Sequence, residues 1–117
     1  MNLRAACIQL TSTTEIARNI ELSTALVREA LLDPENGFFH QMEVSVLPGG
    51  MWYENSWSYH FYTLTAVART METARRLGID LYEIPQAKQM YTVALDYLMV
   101  DGTLPRFGDA TTTGIPS

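Results

Sequence analysis

The sequence has one cysteine and few basic residues, and both shortages exclude classes of protein. Cys7 has no second cysteine with which to form a disulfide inside the chain. Eight Lys and Arg residues stand against thirteen Asp and Glu residues, which gives a formal net charge of -5. The basic residues form no run longer than the pair Arg75-Arg76. The charge pattern therefore predicts that the chain has no nucleic-acid partner.

The sequence also lacks metal-ligand spacing and long apolar runs. Its single cysteine and two histidines are not spaced as zinc ligands, so we predict neither a metal site nor a cofactor. No apolar run approaches the length of about 20 residues that a transmembrane helix needs. The first residues, MNLRAACIQL, are too few and too polar for a signal peptide. As written, the chain is predicted to be cytoplasmic and to have no membrane partner.

The hydrophobic pattern predicts a mainly α-helical chain. Hydrophobic residues make up 47% and charged residues 18%, which is a globular composition. Residues 3–10 alternate as in a short β-strand, and the spacing of Ser12 and Glu15 predicts a capping box at the start of a helix. Apolar residues then recur at helical spacing up to Asp33-Pro34, where the restriction on the residue before proline stops the helix.

Two further helices are predicted in the second half of the chain. One begins near Ser56, with Asn55 or Ser56 as its N-cap, and ends before Gly78. The other begins at Pro85, a residue that favours the first turn of a helix. The predicted buried faces of these two helices consist of Trp57, Phe61, Leu64, Val67 or Ala68, Met71 and Ala74, and of Ile84, Ala87, Tyr91, Ala94 and Leu98. Residues 35–50 and 100–117 are predicted to be irregular, so the sum is one short strand and three main helices.

A dense aromatic run, MWYENSWSYHFYTL, occupies residues 51–64 and is the strongest candidate for a ligand site. Tyr59 and Tyr62 lie about one helical turn apart, and tyrosines at this spacing usually pack at the margin of a core. From the residue types alone, a packing role is therefore favoured for both. His60 lies about 100° round the helix from Tyr59 and fits a structural role as well as a catalytic one.

The first part of the chain carries one family likeness. The segment LRAACIQLTSTTEIARNIELSTALVREA, with Asn19 inside its helix and Arg28-Glu29-Ala30 at its end, resembles the first strand and helix of the nitrilase (carbon-nitrogen hydrolase) superfamily. The Glu-Lys-Cys catalytic set of that family has no counterpart at the expected places. Cys7 lies in the strand, and the Pro-Glu of the family's second strand is replaced by residues 38–41. The resemblance therefore implies no nitrilase activity.

The rest of the chain carries a second likeness, in three ordered blocks. These are LPGG at 47–50, WYENSWSYHFY at 52–62 and DGTLPRFGD at 101–109. Together they resemble the toroidal α/α domain of heparinase II/III-type polysaccharide lyases. Gly49 stands where that family usually has Asp, and Asn55 stands where it usually has Gly. The resemblance implies a fragment of an (α/α) toroid.

The two likenesses predict two segments, residues 1–30 and residues 31–117. One explanation is a fused or mispredicted reading frame, which would make the chain a chimera joined between Ser23 and Asp33. The other is that a strand followed by a helix resembles the nitrilase start by chance. We favour the composite origin.

The lyase resemblance implies β-elimination of an acidic, uronic-acid-containing polysaccharide. Tyr59 matches a tyrosine that exchanges a proton with the sugar in that family, and the adjacent His60 is a second candidate catalytic residue. The candidate substrate-binding residues are Trp52 and Tyr53, which would stack on sugar rings, Glu54, which would orient a hydroxyl or a backbone amide, and Arg106, which would meet a carboxylate. A salt bridge to Asp109 would explain Arg106 equally well.

The resemblance also implies an incomplete site. In the family, the residues that bind the substrate carboxylate lie upstream, and further groups come from a C-terminal β-sandwich domain that this sequence does not contain. We therefore predict that the chain is inactive alone, because electrostatic stabilisation usually dominates such reactions. Family members are often periplasmic or secreted.

A non-enzymatic alternative stays open at this stage. In it the chain is a small helical interaction module that associates with itself. Its oligomer interface would consist of exposed Met51, Trp52, Tyr53, Trp57 and Met90.

Overall fold

The computed structural model describes residues 7–109 and confirms a mainly α-helical chain. Its helices are α1 (Ile16–Leu32), α2 (Phe38–Ser45), α3 (Trp57–Arg76) and α4 (Pro85–Asp96). The extended pairing among the described residues is one isolated antiparallel bridge between Val46 and Trp52. Of the predicted N-terminal strand, residues 3–6 lie outside the described residues, and residues 7–10 are not in a strand. None of the described helices is both long and apolar enough to cross a membrane.

Helix α1 begins three residues later than the predicted capping box requires. Glu15 is the N-cap residue, and its backbone N–H donates to the hydroxyl of Thr13 at 3.1 Å. The side-chain oxygen of Asn19 in turn accepts the backbone N–H of Thr13 at 2.9 Å. The capping box of Ser12 and Glu15 was thus wrong, because the side chain of Asn19, six residues further along the chain, binds Thr13 instead. The helix ends at Leu32, directly before Asp33-Pro34, as the sequence predicts.

Helix α2 lies in a region that the sequence predicts to be irregular, so that prediction was wrong for residues 38–45. A turn between the end of α1 and the start of α2 leads the chain into this helix. One carboxylate oxygen of Asp33 accepts the backbone N–H groups of Glu35 and Asn36, at 2.8 and 2.7 Å. The Asp33 side chain thus satisfies two backbone N–H groups of the turn that leads into α2. The helix has eight residues and contains two phenylalanines and a valine, so neither its length nor its composition gives a strong helical signal.

The chain forms two compact units, Met1–Gln41 and Met42–Ser117. Within the first unit, no residue of α1 is buried, and Ile16 and Ile20 are well exposed. Within the second unit, α3 and α4 pack against each other. All six candidate site residues belong to this second unit.

Helix α3 begins and ends where the sequence predicts, and α4 begins there, but α4 ends at Asp96, before the predicted face residue Leu98. Ser56 is at the N-cap position of α3, the helix ends before Gly78, and Pro85 is the first residue of α4. The Ser56 hydroxyl makes no capping hydrogen bond, however. The residues of α3 that are buried are Trp57, His60, Val67, Met71 and Ala74, and those of α4 are Ala87, Met90, Val93 and Ala94.

The predicted buried faces were therefore only partly correct. Leu64 of α3 is half-buried. In α4, Tyr91 and Leu98 are 45% and 43% exposed, while Met90 and Val93 are buried in their place. Ile84, Ala87 and Ala94 are buried as predicted. The buried face of α4 thus overlaps the predicted one but extends toward Met90 and Val93 instead of Tyr91.

The core beneath the start of α3 is built from segments far apart in the sequence. Its buried members are Met51, Trp57, Val93, Ala94 and Leu104, and Phe61 and Phe107 pack against them. Met51, Trp57 and Met90 are all buried, so the predicted oligomer interface was wrong for these three residues.

Candidate functional site

A tight turn carries the aromatic run toward α3. The backbone N–H of Leu47 donates to the Met51 carbonyl at 2.8 Å, and that of Gly50 donates to the Leu47 carbonyl at 2.9 Å. Gly50 has a φ of 100° and lies close to α4, since a Cβ on it would stand 2.5 Å from the Gln89 carbonyl oxygen. A side chain at this position would thus meet α4 backbone. The turn therefore fixes the position of the backbone that leads into Trp52 and Tyr53.

Asn55 occupies the position where the lyase pattern has glycine, and the backbone explains the exchange. Its φ is 53°, in the left-handed region that glycine adopts readily and asparagine tolerates better than most residues. Its backbone N–H donates to the Trp52 carbonyl at 2.9 Å, which closes the turn before α3. The substitution therefore keeps the local conformation that leads into the helix.

Trp52, Tyr53 and Glu54 form a small cluster beside this turn. The indole N–H of Trp52 donates to Oε2 of Glu54 at 2.9 Å. The rings of Trp52 and Tyr53 lie 5.2 Å apart between centroids and are tilted by 56°. Both aromatic residues are half-buried, and Glu54 is exposed. Glu54 therefore fixes the orientation of an indole ring that is still partly open to solvent.

His60 is completely buried and uses both ring nitrogens. Its Nδ1 lies 3.1 Å from the backbone nitrogen of Trp52, which can only donate. Its Nε2 lies 2.9 Å from the carbonyl oxygen of Met90, which can only accept. These partners require a neutral imidazole that carries its hydrogen on Nε2. Burial lowers the pKa of His60 below its usual value of 6.5, and the hydrogen bond to Met90 opposes this only partly.

Tyr59 lies on the outer side of the first turn of α3. It is 42% exposed, whereas Trp57 is buried and Phe61 is half-buried against the core. This is the arrangement in which Tyr59 faces outward while its two neighbours pack inward. Tyr62 is 79% exposed and lies less than one turn further on.

The loop that carries Arg106 is attached to the same end of α3. Leu104 is completely buried, and the ring of Phe107 lies 5.5 Å from that of Trp57. Gly108 comes so close to Asn55 that a Cβ on it would stand 2.6 Å from the Asn55 carbonyl oxygen. Arg106 lies between Leu104 and Phe107 and is exposed. The structure therefore brings the turn, the first turn of α3 and the Arg106 loop to one end of the helix.

A comparison with protein families shows which family the chain belongs to. The family model described as alginate lyase matches residues 23–104, which is more than half of the chain. The chain belongs to the alginate lyase family. The match includes Trp52, Tyr53, Glu54, Tyr59 and His60 and ends just before Arg106. No curated protein and no solved structure matches the chain.

The alginate lyase match supports a polysaccharide lyase relation, which is the broader part of the second likeness. The finer resemblance to heparinase II/III-type enzymes stays a prediction, as does the nitrilase-like start. The predicted division at residue 30 likewise stays a prediction.

Some features of this candidate site had no signal in the sequence. The partners of His60 are a backbone N–H and a backbone carbonyl, and these groups are the same in every residue type other than proline. Phe107 and Tyr97, whose rings both contact Trp57, come from segments 40 or more positions away. The only available signal was their aromatic character within a loop and at a helix end.

The DGT block, residues 101–103, has a structural role in this chain. One carboxylate oxygen of Asp101 accepts the hydroxyl of Thr103 at 2.7 Å and its backbone N–H at 3.0 Å. These bonds, the hydroxyl first, lower the pKa of Asp101. The backbone N–H of Met99 also donates to the Thr103 carbonyl at 2.8 Å. The block thus forms the turn that returns the chain from α4 toward buried Leu104.

The neutral state of His60 predicts a pH dependence of stability. Because the pKa of the folded state is below 6.5, the unfolded chain binds the proton more tightly. The free energy of unfolding should be highest above the unfolded pKa and should fall as the pH decreases from about 6.5 toward the folded pKa, by at most about 1.4 kcal/mol per pH unit. Urea titrations at several pH values between 5.5 and 7.5 measure this slope. The component is expected to disappear in His60→Gln, and equal slopes in both proteins would contradict it.

Proposed function

We propose that the chain carries the tyrosine-bearing part of a lyase site for a uronic-acid polysaccharide such as alginate, and that it acts by β-elimination. The observation that carries this proposal is the alginate lyase match over the segment that holds Tyr59 and its neighbours. The outward position of Tyr59, beside a partly open pair of aromatic rings, supports it.

Three tasks are needed to eliminate across the bond between C4 and C5 of a uronic acid. A base removes the C5 proton, a cation or hydrogen-bond donor neutralises the C5 carboxylate, and an acid protonates the departing O4 oxygen. A phenol suits the proton transfers, since it can accept or donate at a preorganised position. Tyr59 takes this role in the proposal, because its side chain is accessible and is held on the first turn of a long helix.

The other candidate residues bind the sugar. The half-buried rings of Trp52 and Tyr53 offer apolar faces to sugar rings, while Oε2 of Glu54 is already engaged by the Trp52 indole. Its second carboxylate oxygen can accept a sugar hydroxyl. Arg106 supplies a positive charge toward a substrate carboxylate from the loop pinned to the start of α3.

In the same proposal, the chain is a fragment of a lyase and does not turn over substrate alone. Removal of a C5 proton creates negative charge on the carboxylate, and loss of one preorganised donor for such charge typically costs a factor of about 100 to 1,000 in rate. Among the six candidate site residues, Arg106 alone carries a positive charge, so the proposal assigns a single cation to this carboxylate. The formal net charge of -5 also disfavours a polyanion at long range.

The test separates sugar binding from chemistry. The chain is titrated with oligomannuronate and oligoguluronate while the indole N–H resonances of its tryptophans are followed by NMR, and the ultraviolet absorbance of unsaturated uronate is recorded in parallel. We expect that the chain binds the oligouronates and that the absorbance of unsaturated uronate does not rise above background. Trp52→Ala should abolish binding, whereas Tyr62→Phe, at an exposed position close by on α3, is a control that should not.

Two outcomes would change the proposal. If the wild-type chain binds no acidic oligosaccharide at millimolar concentration, the lyase site is overturned. If unsaturated product does accumulate and Tyr59→Phe removes it with the fold intact, the role of Tyr59 is supported and the inactivity of the isolated chain is wrong.

A self-associating helical module is the second candidate, and a different surface favours it. The segment from the end of α4 into the following turn exposes large apolar side chains: Leu95 at 63%, Leu98 at 43%, Met99 at 44% and Val100 at 109%. Light scattering would then show a mass that rises with concentration, and Val100→Asp would reduce it. A constant monomer mass together with oligouronate binding would favour the lyase site alone.

A further inference from the structure

We propose that His60 is a positioning residue, whose neutral imidazole holds the backbone of Trp52 in place for sugar binding and exchanges no proton with the substrate. This inference rests on the proposed lyase function for its ligand, but the contact itself can be tested without any ligand.

The geometry leaves the imidazole no nitrogen with which to act on a sugar. Nδ1 accepts the Trp52 N–H at 3.1 Å, and Nε2 donates to the Met90 carbonyl at 2.9 Å. The residue is 0% exposed, and its ring is packed edge-on against Trp57 at 5.7 Å. A general acid or base must lie within hydrogen-bond reach of the reacting atom, directly or through one water. His60 does not meet this condition, although its neighbour Tyr59 is open to solvent.

The same hydrogen bonds connect three segments, and in the proposal their relative positions determine where the sugar-binding rings lie. His60 belongs to α3, Met90 belongs to α4, and Trp52 belongs to the turn before α3. The chain of contacts continues from the Trp52 indole to Glu54 at 2.9 Å. His60 thus fixes the backbone of Trp52, and Glu54 fixes its ring. Each contact removes freedom that the indole would otherwise lose on binding a sugar, and such preorganisation favours affinity.

Two substitutions separate the two ring nitrogens. The amide of asparagine reaches about as far as Nδ1, so Oδ1 in His60→Asn can still accept the Trp52 N–H. The amide of glutamine reaches about as far as Nε2, so His60→Gln keeps a donor for Met90 but loses the acceptor for Trp52. Both variants lack an imidazole and both remove ring packing. Each variant therefore breaks one of the two contacts: His60→Asn loses the donor to the Met90 carbonyl, and His60→Gln loses the acceptor for the Trp52 N–H.

The first measurement uses the chain without ligand. NMR spectra of ¹⁵N-labelled protein are expected to show His60 as the neutral tautomer with its hydrogen on Nε2 at pH 7. The Trp52 amide resonance should move strongly in His60→Gln and remain close to its wild-type position in His60→Asn. Circular dichroism reports whether each variant retains its helices, and Val67→Ala, at a buried position of α3 elsewhere on the helix, reports the effect of a general loss of packing.

The second measurement adds an oligouronate. The dissociation constant should rise by about 3- to 10-fold in His60→Gln, which is the size expected for one net hydrogen bond, and it should change by less than about 2-fold in His60→Asn and Val67→Ala. Any elimination activity should follow the same order, with His60→Asn retaining it.

The outcomes distinguish this inference from the proposed function. Equal losses in His60→Asn and His60→Gln, or an unmoved Trp52 amide in His60→Gln, would overturn the positioning role. Loss of elimination in His60→Asn with unchanged binding would assign His60 a proton-transfer role instead. If the wild-type chain binds no oligouronate, the proposed function is wrong, and the contact between His60 and Trp52 has no role in sugar binding. The ligand-free spectra test separately whether that contact exists.

Discussion

Trp57→Ala is expected to lower the free energy of unfolding by about 3–5 kcal/mol, as is typical when a large buried aromatic side chain is removed from a core. The residue is 0% exposed. Its ring contacts those of His60, Phe61, Tyr97 and Phe107, at centroid distances of 5.5–5.8 Å. Alanine would leave a cavity between the start of α3, the end of α4 and the Arg106 loop, so these segments would lose a common support.

Trp57→Phe is the matched control for that experiment. The indole N–H of Trp57 has no hydrogen-bond partner among the described residues, so phenylalanine removes a buried donor whose burial is itself unfavourable. We therefore expect a smaller loss of about 1–2 kcal/mol. Urea denaturation followed by circular dichroism measures both values. A loss in Trp57→Ala no larger than that in Trp57→Phe would show that the ring is not the centre of this core.

Gly50→Ala is expected to have the second large effect, for two reasons that add. The φ of 100° disfavours any side chain, at a cost of about 1–3 kcal/mol. A methyl group would also stand 2.5 Å from the carbonyl oxygen and 2.6 Å from the carbonyl carbon of Gln89, which is backbone and cannot rotate away. The turn or α4 would have to shift, which adds about 1–3 kcal/mol.

Gly49→Ala separates these two causes. Gly49 has nearly the same φ, 98°, but a Cβ there would meet nothing within 4 Å among the described residues. Its substitution should therefore cost only the backbone term of about 1–3 kcal/mol. Denaturant titrations of the two variants give the difference directly. If both cost the same, the turn does not approach α4 as closely as described.

These two predictions concern function as well as stability. The Gly50 turn leads directly to Trp52, and the Trp57 core supports both the first turn of α3 and the Arg106 loop. A shift of either would move the rings of Trp52 and Tyr53, which bind the sugar in the proposed function, relative to Tyr59. We therefore expect Gly50→Ala to weaken oligouronate binding more than Gly49→Ala, beyond any difference in folded fraction.

Local signals in the sequence were sufficient for both ends of α3 and for the start of α4. Proline in the first turn of α4 and glycine after the end of α3 act through the backbone of single residues, so they do not depend on the rest of the fold. The same approach was wrong at Ser12, where Asn19 of the following helix competes for the turn. It also overlooked α2, whose eight residues are too few to establish a periodicity.

The sequence by itself determined the mainly helical class, both ends of α3, the start of α4, and the ordered blocks that resemble a polysaccharide lyase. Helical spacing could not say which of Tyr59 and His60 is buried, because it separates neighbours by about 100° without indicating which side will be covered. The tertiary structure decided this. His60 is buried because the partners of its two nitrogens come from positions 8 and 30 residues away, and Tyr59 is left exposed on the adjacent side. Such distant backbone groups carry no residue identity, so only folding reveals which nitrogen meets them.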